Sequence, residues 1–280
     1  MASAVGKFDT AVFLRLLTTH VLGRSVQHHE NIESTQELVK ENASTFADGS
    51  LVVADVQTKG KGRGGNSWTS PAGCLMFTFV CSVGQGAQLP FLQYLVSLAL
   101  VKGIRGMQKG MAELPVAMKW PNDIYVHGRE SQTQKIGGIL CQSEYVDGKF
   151  RVVTGVGINV ANDEPSTCIN QLIRQYSPEA AEVSREGVLA AFCNEFEPML
   201  ATFEELGFDP FRASYHAHWM HSRQAVTVKS DGVEEEVDIC GLAKNGYLQA
   251  VSRKGDLLEL HPDGNSLDFF KGLVSKKVQI

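Results

Sequence analysis

Two apolar runs, Lys135–Tyr145 and Phe150–Val160, flank Val146-Asp147-Gly148-Lys149. An Asp-Gly pair between such runs is the residue chemistry of a tight hairpin. The two predicted strands are therefore antiparallel neighbours in one sheet. Both carry glycines in their interiors, Gly137-Gly138 in the first and Gly155 and Gly157 in the second. Glycine weakens a strand, and it marks either a bulge or the close approach of a ligand or another backbone. The residues taken singly leave both explanations open.

The rest of the chain mixes the two periodicities. Ser34-Thr35-Gln36-Glu37 has the spacing of a capping box, which starts a helix through Leu38 and Val39 where a strand feeds it. Leu51–Val56 and Cys74–Val83 read as buried strands, and Pro90–Met107 as a long helix with Leu92, Leu95, Val96, Ala99 and Leu100 on its apolar side. Helices are expected at Glu186–Leu206 and Asp209–His221, with a short one in the irregular stretch Pro165–Pro178. Near the N-terminus, Phe13, Leu16, Leu17, His20, Val21 and Leu22 form an amphipathic helix face, a reading preferred to organelle targeting by Lys7, Arg15 and Arg24.

From Gln224 the texture changes to short alternating strands: Ala225–Lys229, Glu235–Leu242, Tyr247–Ala250 and Leu257–Leu260, with turns at Asp231-Gly232, Asn245-Gly246 and Lys254-Gly255. This predicts a small antiparallel barrel. The fold class is α+β, divided into residues 1–222 and 223–280, and a chain of 280 residues exceeds the roughly 100–200 typical of one domain. No Pro/Gly/Ser-rich linker separates the two parts, so they are expected to pack closely.

Composition excludes several classes of function. No run reaches the roughly 20 apolar residues of a membrane-spanning helix, the stretch near Leu95–Val101 being interrupted by Ser97. A net charge of −5 argues against a broad nucleic-acid footprint, so any phosphate chemistry is local. The six cysteines lie apart without a C-x-x-C pair and are expected to be reduced core residues of an intracellular protein. The spacing His216-x-His218-x-x-His221 is not the i, i+4 pair of a helical zinc site and reads as structural.

Four segments carry candidate chemistry. Lys59-Gly60-Lys61-Gly62-Arg63-Gly64-Gly65-Asn66 follows a strand with four glycines and three cations, suited to turning amides toward a phosphate, although a solvated basic loop explains it equally well. It has neither P-loop nor dinucleotide-fingerprint spacing, and Trp68 after it can stack on a base or pack in the core. In Lys119-Trp120-Pro121-Asn122-Asp123, a turn between strands accounts for Pro-Asn-Asp but not for the flanking Lys and Trp. Lys135 opens a glycine-bearing strand and is placed to neutralise a carboxylate and a phosphate as they approach. Gly155-Val156-Gly157-Ile158-Asn159 ends its strand in an amide.

In order along the chain, Ser34-Thr35-Gln36, Gly60 to Gly73, Lys119 to Asp123, Lys135 to Leu140 and Gly155 to Asn159 resemble the motifs of biotin protein ligases (holocarboxylase synthetases), strongly over residues 26–160. The tail from Asp263 to Leu273 looks like that of eukaryotic, especially plant, members. The resemblance implies a mixed sheet flanked by helices, akin to class II aminoacyl-tRNA synthetases, and a C-terminal SH3-like barrel. Only about 25–30 residues precede the expected core, too few for the winged helix-turn-helix of the repressor type, so a monofunctional enzyme without a DNA-binding domain is expected.

The family's residue roles follow the same motifs. Biotin-binding is implied for Ser34, Thr35, Gln36, Gln57, Gly60, Lys61, Gly62, Lys135, Gly137 and Gly138, with Lys61 and Gly138 acting through backbone. ATP-binding is implied for Arg63 on the phosphates, Trp68 against adenine, and Asn66, Lys119, Asn122, Lys135 and Asn159. Lys135, Arg63 and Asp123 are the implied catalytic residues, Asp123 orienting the acceptor lysine. Magnesium is expected to arrive with ATP, near Asp123, with no metal ligand set assigned. Lys61 and Asn66 replace basic residues usual in the family, which leaves the loop less positive.

The implied reaction is activation of biotin by ATP to biotinyl-5'-AMP and transfer to a lysine of biotin acceptor domains of carboxylases such as acetyl-CoA carboxylase. The expected setting is the cytoplasm, with a mitochondrial or other organelle location as the alternative, and a monomer or weak homodimer without nucleic-acid or membrane partners. Two competitors are a lipoate ligase, whose triple-glycine and His-Gly lysine-loop motifs are missing, and a non-catalytic biotin or nucleotide binder, against which Lys135, Arg63 and Asn159 count.

Overall fold

The computed structural model describes residues 6–127, 133–162, 164–230, 233–260, 267–268 and 273–275. In chain order its elements are α1 (Thr10–Leu16), β1 (Val26–Ile32), α2 (Thr35–Glu41), β2 (Leu51–Gln57), β3 (Cys74–Val83), α3 (Leu89–Gly106), β4 (Val116–Lys119), β5 (Asp123–Val126), β6 (Gln134–Val146), β7 (Lys149–Asn159), α4 (Ile169–Tyr176), α5 (Arg185–Leu206) and α6 (Arg212–His218). Strands β8 (Ala225–Ser230), β9 (Val233–Leu242), β10 (Leu248–Ser252), β11 (Leu257–Leu260), β12 (Leu267–Asp268) and β13 (Leu273–Ser275) follow.

The β6–β7 hairpin has the predicted pairing, from Gly137↔Ile158 to Val146↔Lys149. Its turn places Asp147 and Gly148 at φ 49° and 83°, the left-handed conformations that suit the right-handed twist of the strands. The hairpin lies inside a seven-stranded mixed sheet of order β1-β2-β3-β7-β6-β5-β4, in which β1 and β2 are parallel and the other neighbours antiparallel.

Strand alternation divides the core between the two faces of this sheet. Val53, Phe77 and Phe79 join the large core with α3 and α5, where Phe77 and Phe79 pack on Phe192 and Phe196 at centroid distances of 5.2 Å. Val52, Val80 and Val153 face the other way and meet Val39 of α2 in a smaller cluster. Helix α2 is therefore held on the face opposite α3 and α5. Residues 86–106 are long and apolar enough to cross a membrane by length and composition, which the interruption at Ser97 had concealed. Most of this stretch is buried, Ser97 included, its hydroxyl bonding back to Gln93 O at 2.7 Å.

Two predicted helices end early because tertiary hydrogen bonds outcompete them. Helix α1 stops at Leu16, and the Glu197 carboxylate gathers the N–H groups of His20, Val21 and Leu22, leaving Leu16 and Val21 exposed while Leu17 and Leu22 are buried. The helix expected over Asp209–His221 is a single 3-10 turn followed by α6, which ends at His218. Beyond it Met220 N donates to Met118 O and His221 Nε2 accepts from Trp120 N, so the chain turns away to reach the first sheet.

The C-terminal strands form a six-stranded sheet of order β11-β10-β9-β8-β13-β12, with β8 and β13 parallel and a bulge at Gln249/Ala250. Among the described residues no pairing joins β11 to β12, so the predicted barrel appears as a small sheet. The Asp231-Gly232 turn and most of the tail from Asp263 to Leu273 lie outside the described residues. One continuous core joins both sheets, with Val226, Ile239 and Leu248 packed into the cluster that contains α3. All six cysteines are free; Cys240 is exposed and Cys141 half-buried, correcting the expectation of six core thiols.

Candidate functional site

The pocket opens where the C-terminal end of β2, the start of α2 and the glycine-bearing halves of β6 and β7 meet. Its empty volume, open mouth included, is about 480 Å³. The floor is a network of side chains, buried at Ser34, Thr35, Gln36, Ser70 and Thr78 and half-buried at Gln57. Gln57 Oε1 accepts from Thr35 N at 2.8 Å and from Thr35 Oγ1 at 3.1 Å, while Gln57 Nε2 donates to Ser70 Oγ at 3.1 Å. Thr35 Oγ1 also lies 2.8 Å from the Thr78 hydroxyl. Gln36 Nε2 donates to Leu140 O and Gln142 Oε1, each at 3.0 Å. Ser34 caps α2 by accepting from Glu37 N at 3.4 Å.

The strand glycines turn out to seat the protein's own side chains. A Cβ on Gly155 would collide with Gln36 Oε1, and one on Gly157 would lie 2.5 Å from Trp68 Nε1. A Cβ on Gly137 would lie 2.7 Å from Ile158 Cδ1. Gly155 and Gly157 make room for Gln36 and Trp68 on the sheet and also line the pocket, while Gly137 adjoins a register shift of β6 against β5. At Gly138 the atoms nearest an added Cβ would be Asp123 Oδ1 and Lys135 Cε and Nζ, each at 3.5 Å, an ordinary contact.

The basic glycine-rich segment forms the rim, and it is ordered as a small hairpin. Trp68 N donates to Gly60 O at 2.9 Å, Lys61 bridges Ser67, and Gly62 N donates to Asn66 O at 2.7 Å. The turn at its tip runs through Gly64 and Gly65 at φ 67° and 82°, where a side chain would be strained. Lys61 Nζ lies 3.7 Å from the Glu37 carboxylate, and Arg63 reaches the pocket lining. The far wall carries Lys135, whose Nζ is 2.7 Å from Asp123 Oδ1 and 5.6 Å from the Trp68 ring centroid. Asn122 exchanges two hydrogen bonds with Ile139, at 2.8 and 2.9 Å, which sets Asp123 beside Lys135.

Ser34, Thr35, Gln36 and Gln57 on the floor, Lys61, Gly62, Arg63 and Trp68 on the rim, and Asn122, Asp123, Lys135 and Gly138 on the wall therefore line a single cavity. Five predicted residues stand outside that lining. Gly60 is at the base of the rim hairpin, where a Cβ would strike Trp68 O, and Gly137 is packed beneath β5. Asn66 is exposed and donates to Arg63 O at 2.9 Å. Lys119 lies over the Tyr125 ring at 5.3 Å. Asn159 is buried, its amide donating to Ser166 Oγ at 3.1 Å and Thr167 O at 3.2 Å, beside an open groove that shares Lys135 with the main pocket.

Sequence reasoning missed Thr78, Ser70 and the apolar liners Ile139, Leu140 and Val156. Thr78 carried a signal, a hydroxyl flanked by Phe77 and Phe79 in the middle of the buried Cys74–Val83 run. Among the described residues no group of three His, Cys, Asp or Glu could hold a metal. The His216–His221 cluster is dispersed: His218 Nδ1 lies 2.8 Å from Ser214 O, His216 stacks on Trp219, and His221 is buried against Trp120. Burial pushes the His221 pKa down to about 4.

Comparison with known proteins gives a consistent set of matches. Residues 29–159 match the model of the biotin/lipoate A/B protein ligase family. The biotin–protein ligase 1, chloroplastic, of Arabidopsis thaliana is 42% identical over 278 residues, covering 97% of this chain and 74% of that protein. Biotin–protein ligase 2 of the same plant is 40% identical, covering 97% of this chain and 83% of its own. Among solved structures, the biotin protein ligase of Aquifex aeolicus in complex with biotin and ATP aligns with a TM-score of 0.64 at 26% identity, covering 85% of this chain and 95% of that one.

Proposed function

The chain belongs to the biotin–protein ligase family, and from that premise we propose how its pocket performs the family's reaction. It is a ligase that activates biotin with ATP and joins the biotinyl group to a protein. The observation that carries the residue assignment is the meeting, at Lys135, of an uncharged hydrogen-bonding floor and a cationic rim.

The floor suits the ring system of biotin, which is neutral and rich in amide-like donors and acceptors. Ser34, Thr35 and Gln57 bind it by side chain, Gln36 packs beneath it, and the backbone of Lys61, Gly62 and Gly138 closes around it. Arg63 on the rim takes the phosphates and Trp68 the adenine, with Asn122 and Asn159 contacting the nucleotide. Magnesium is proposed to enter with ATP; among the described residues the pocket lining carries one carboxylate, Asp123.

The biotin carboxylate attacks the α-phosphate of ATP, a P–O bond to pyrophosphate breaks, and biotinyl-5'-AMP remains. No enzyme nucleophile takes part. Two anions must approach each other, and Lys135 and Arg63 offset that charge; preorganised groups of this kind contribute about 3–4 kcal/mol each by single deletion. The amine of the acceptor lysine, deprotonated, then attacks the biotinyl carbonyl and AMP leaves. Once Lys135 turns to the anions, the Asp123 carboxylate that held it at 2.7 Å is free to orient the incoming amine. Asp123→Ala is expected to transfer preformed biotinyl-adenylate more slowly than the parent; an unchanged transfer rate removes that role.

The acceptors are proposed to be biotin-carrying domains of carboxylases such as acetyl-CoA carboxylase. Residues 1–222 would form the catalytic part and residues 223–280 its appended sheet. The proposed location is the cytoplasm or an organelle, one relative being named chloroplastic. ATP–pyrophosphate exchange tests the activation step: exchange is expected with biotin and not with lipoate, and exchange with lipoate alone, or with neither, overturns the reading.

A further inference from the structure

We propose that the second sheet holds the catalytic turn in place through two positioning residues, Tyr94 and His221, which grip Trp120 by its side chain and its backbone. The proposal rests on the reading of Asn122, Asp123 and Lys135 given above, and neither Tyr94 nor His221 touches the pocket.

The turn Lys119–Asp123 has two sides. On the pocket side, Asn122 is bound to Ile139 and Asp123 to Lys135. On the other side Trp120 is fully buried, and its indole Nε1 donates to Tyr94 Oη at 2.8 Å and to Gly246 O at 3.3 Å. Tyr94 donates its own proton to Gly246 O at 2.8 Å, so the phenol is at once acceptor and donor. Burial raises the phenol's pKa, which keeps that proton in place.

The second grip is on the backbone. Trp120 N donates to His221 Nε2 at 3.0 Å, which requires that nitrogen to be unprotonated. The opposite nitrogen, Nδ1, lies 2.8 Å from Gln224 Oε1 and carries the proton toward it, fixing the tautomer. Gln224 O in turn accepts from Ile239 N of β9 at 2.9 Å.

Both grips are therefore anchored in the second sheet. Gly246 lies in the turn between β9 and β10 at φ 85°, and an added Cβ would come within 3.2 Å of Pro90 and 3.4 Å of the Tyr94 ring. Glycine meets both demands, a left-handed backbone and close approach to Tyr94. With these contacts loosened, the turn would keep its β4–β5 pairing and its Asn122–Ile139 bonds but lose the two grips on Trp120, and Asp123 would no longer present Lys135 at a set distance. A displacement of about 1 Å in such a group can cost on the order of 100-fold in rate.

The test is steady-state ATP–pyrophosphate exchange with biotin on the full chain, with each variant assayed well below its own melting temperature. Tyr94→Phe, His221→Phe and Gly246→Ala are expected to lower kcat about tenfold while the biotin KM stays within about twofold, because the floor residues come from other elements. His221→Gln, whose Oε1 replaces the lost acceptor, is expected to recover most of the rate, which a purely structural role would not require. Absence of exchange in the parent protein would overturn the ligase reading itself. Exchange in the parent with unchanged kcat in Tyr94→Phe and His221→Phe, or with His221→Gln as slow as His221→Phe, would overturn the latch alone.

Discussion

The floor of the pocket is held by side-chain hydrogen bonds among Thr35, Gln57, Ser70 and Thr78, whereas its rim is a short hairpin carrying the cations Lys61 and Arg63 and turning over two left-handed glycines. The floor is set before ligand arrives: its polar atoms satisfy one another in a buried setting where leaving one unpaired costs about 1–3 kcal/mol. The rim has few such constraints, since the backbone bonds at Gly60, Gly62, Asn66 and Trp68 hold its stem and its tip faces solvent. A rigid neutral floor suits selection of a small uncharged ring. An adaptable charged rim suits closure over phosphates and exclusion of water from a reactive adenylate.

Lys135, on the wall where the two regions meet, gives the largest expected effect. Lys135→Ala should lower kcat for biotin-dependent exchange by about 100- to 1000-fold, with protein stability near that of the parent by thermal melting.

The next effect reaches the wall through its support. The folded pKa of His221, about 4, lies below the ordinary value of 6.5. The unfolded chain therefore binds the extra proton first, so stability is fully present above about pH 6.5 and is lost as pH falls toward 4. The loss amounts to at most about 3 kcal/mol from this group. Urea midpoints measured across that window should fall for the parent and fall less for His221→Gln.

Gly155→Ala breaks the floor by placing a methyl group against Gln36. The expected cost of about 1–3 kcal/mol should appear as a raised biotin KM with the ATP KM nearly unchanged. The smallest effect is at the rim. Gly65→Ala meets no neighbouring atom but places alanine at φ 82°, a cost of about 1–2 kcal/mol to the hairpin. It should raise the ATP KM several-fold and spare the biotin KM. If Gly155→Ala and Gly65→Ala shifted both constants alike, the distinction between floor and rim would fail.

These contrasts explain what the sequence disclosed. The β6–β7 hairpin was legible because its apolar runs and Asp-Gly turn act locally, and α2 was legible from Ser34 as its cap. The order of the rim was not legible, because Lys59–Asn66 has no apolar residue to alternate with its polar ones and its hairpin is made by backbone bonds. The early ends of α1 and of the helix before Trp219 depend on Glu197 and on Met118 and Trp120, partners distant in sequence. The strand glycines were noticed, but the side chains they seat, Gln36 and Trp68, come from far along the chain and only the fold pairs them. The cavity gathers most of the residues singled out in advance, and it leaves Lys119, Asn66 and Asn159 bonded elsewhere.

The most direct test of the account is to incubate the protein with biotin, ATP labelled at the α-phosphate and a purified biotin-acceptor domain, then identify both the nucleotide released and the modified residue. The account predicts labelled AMP, a biotinyl-adenylate that accumulates when the acceptor is withheld, and biotin on one acceptor lysine. Release of ADP, or acceptor modification without an adenylate intermediate, would contradict it.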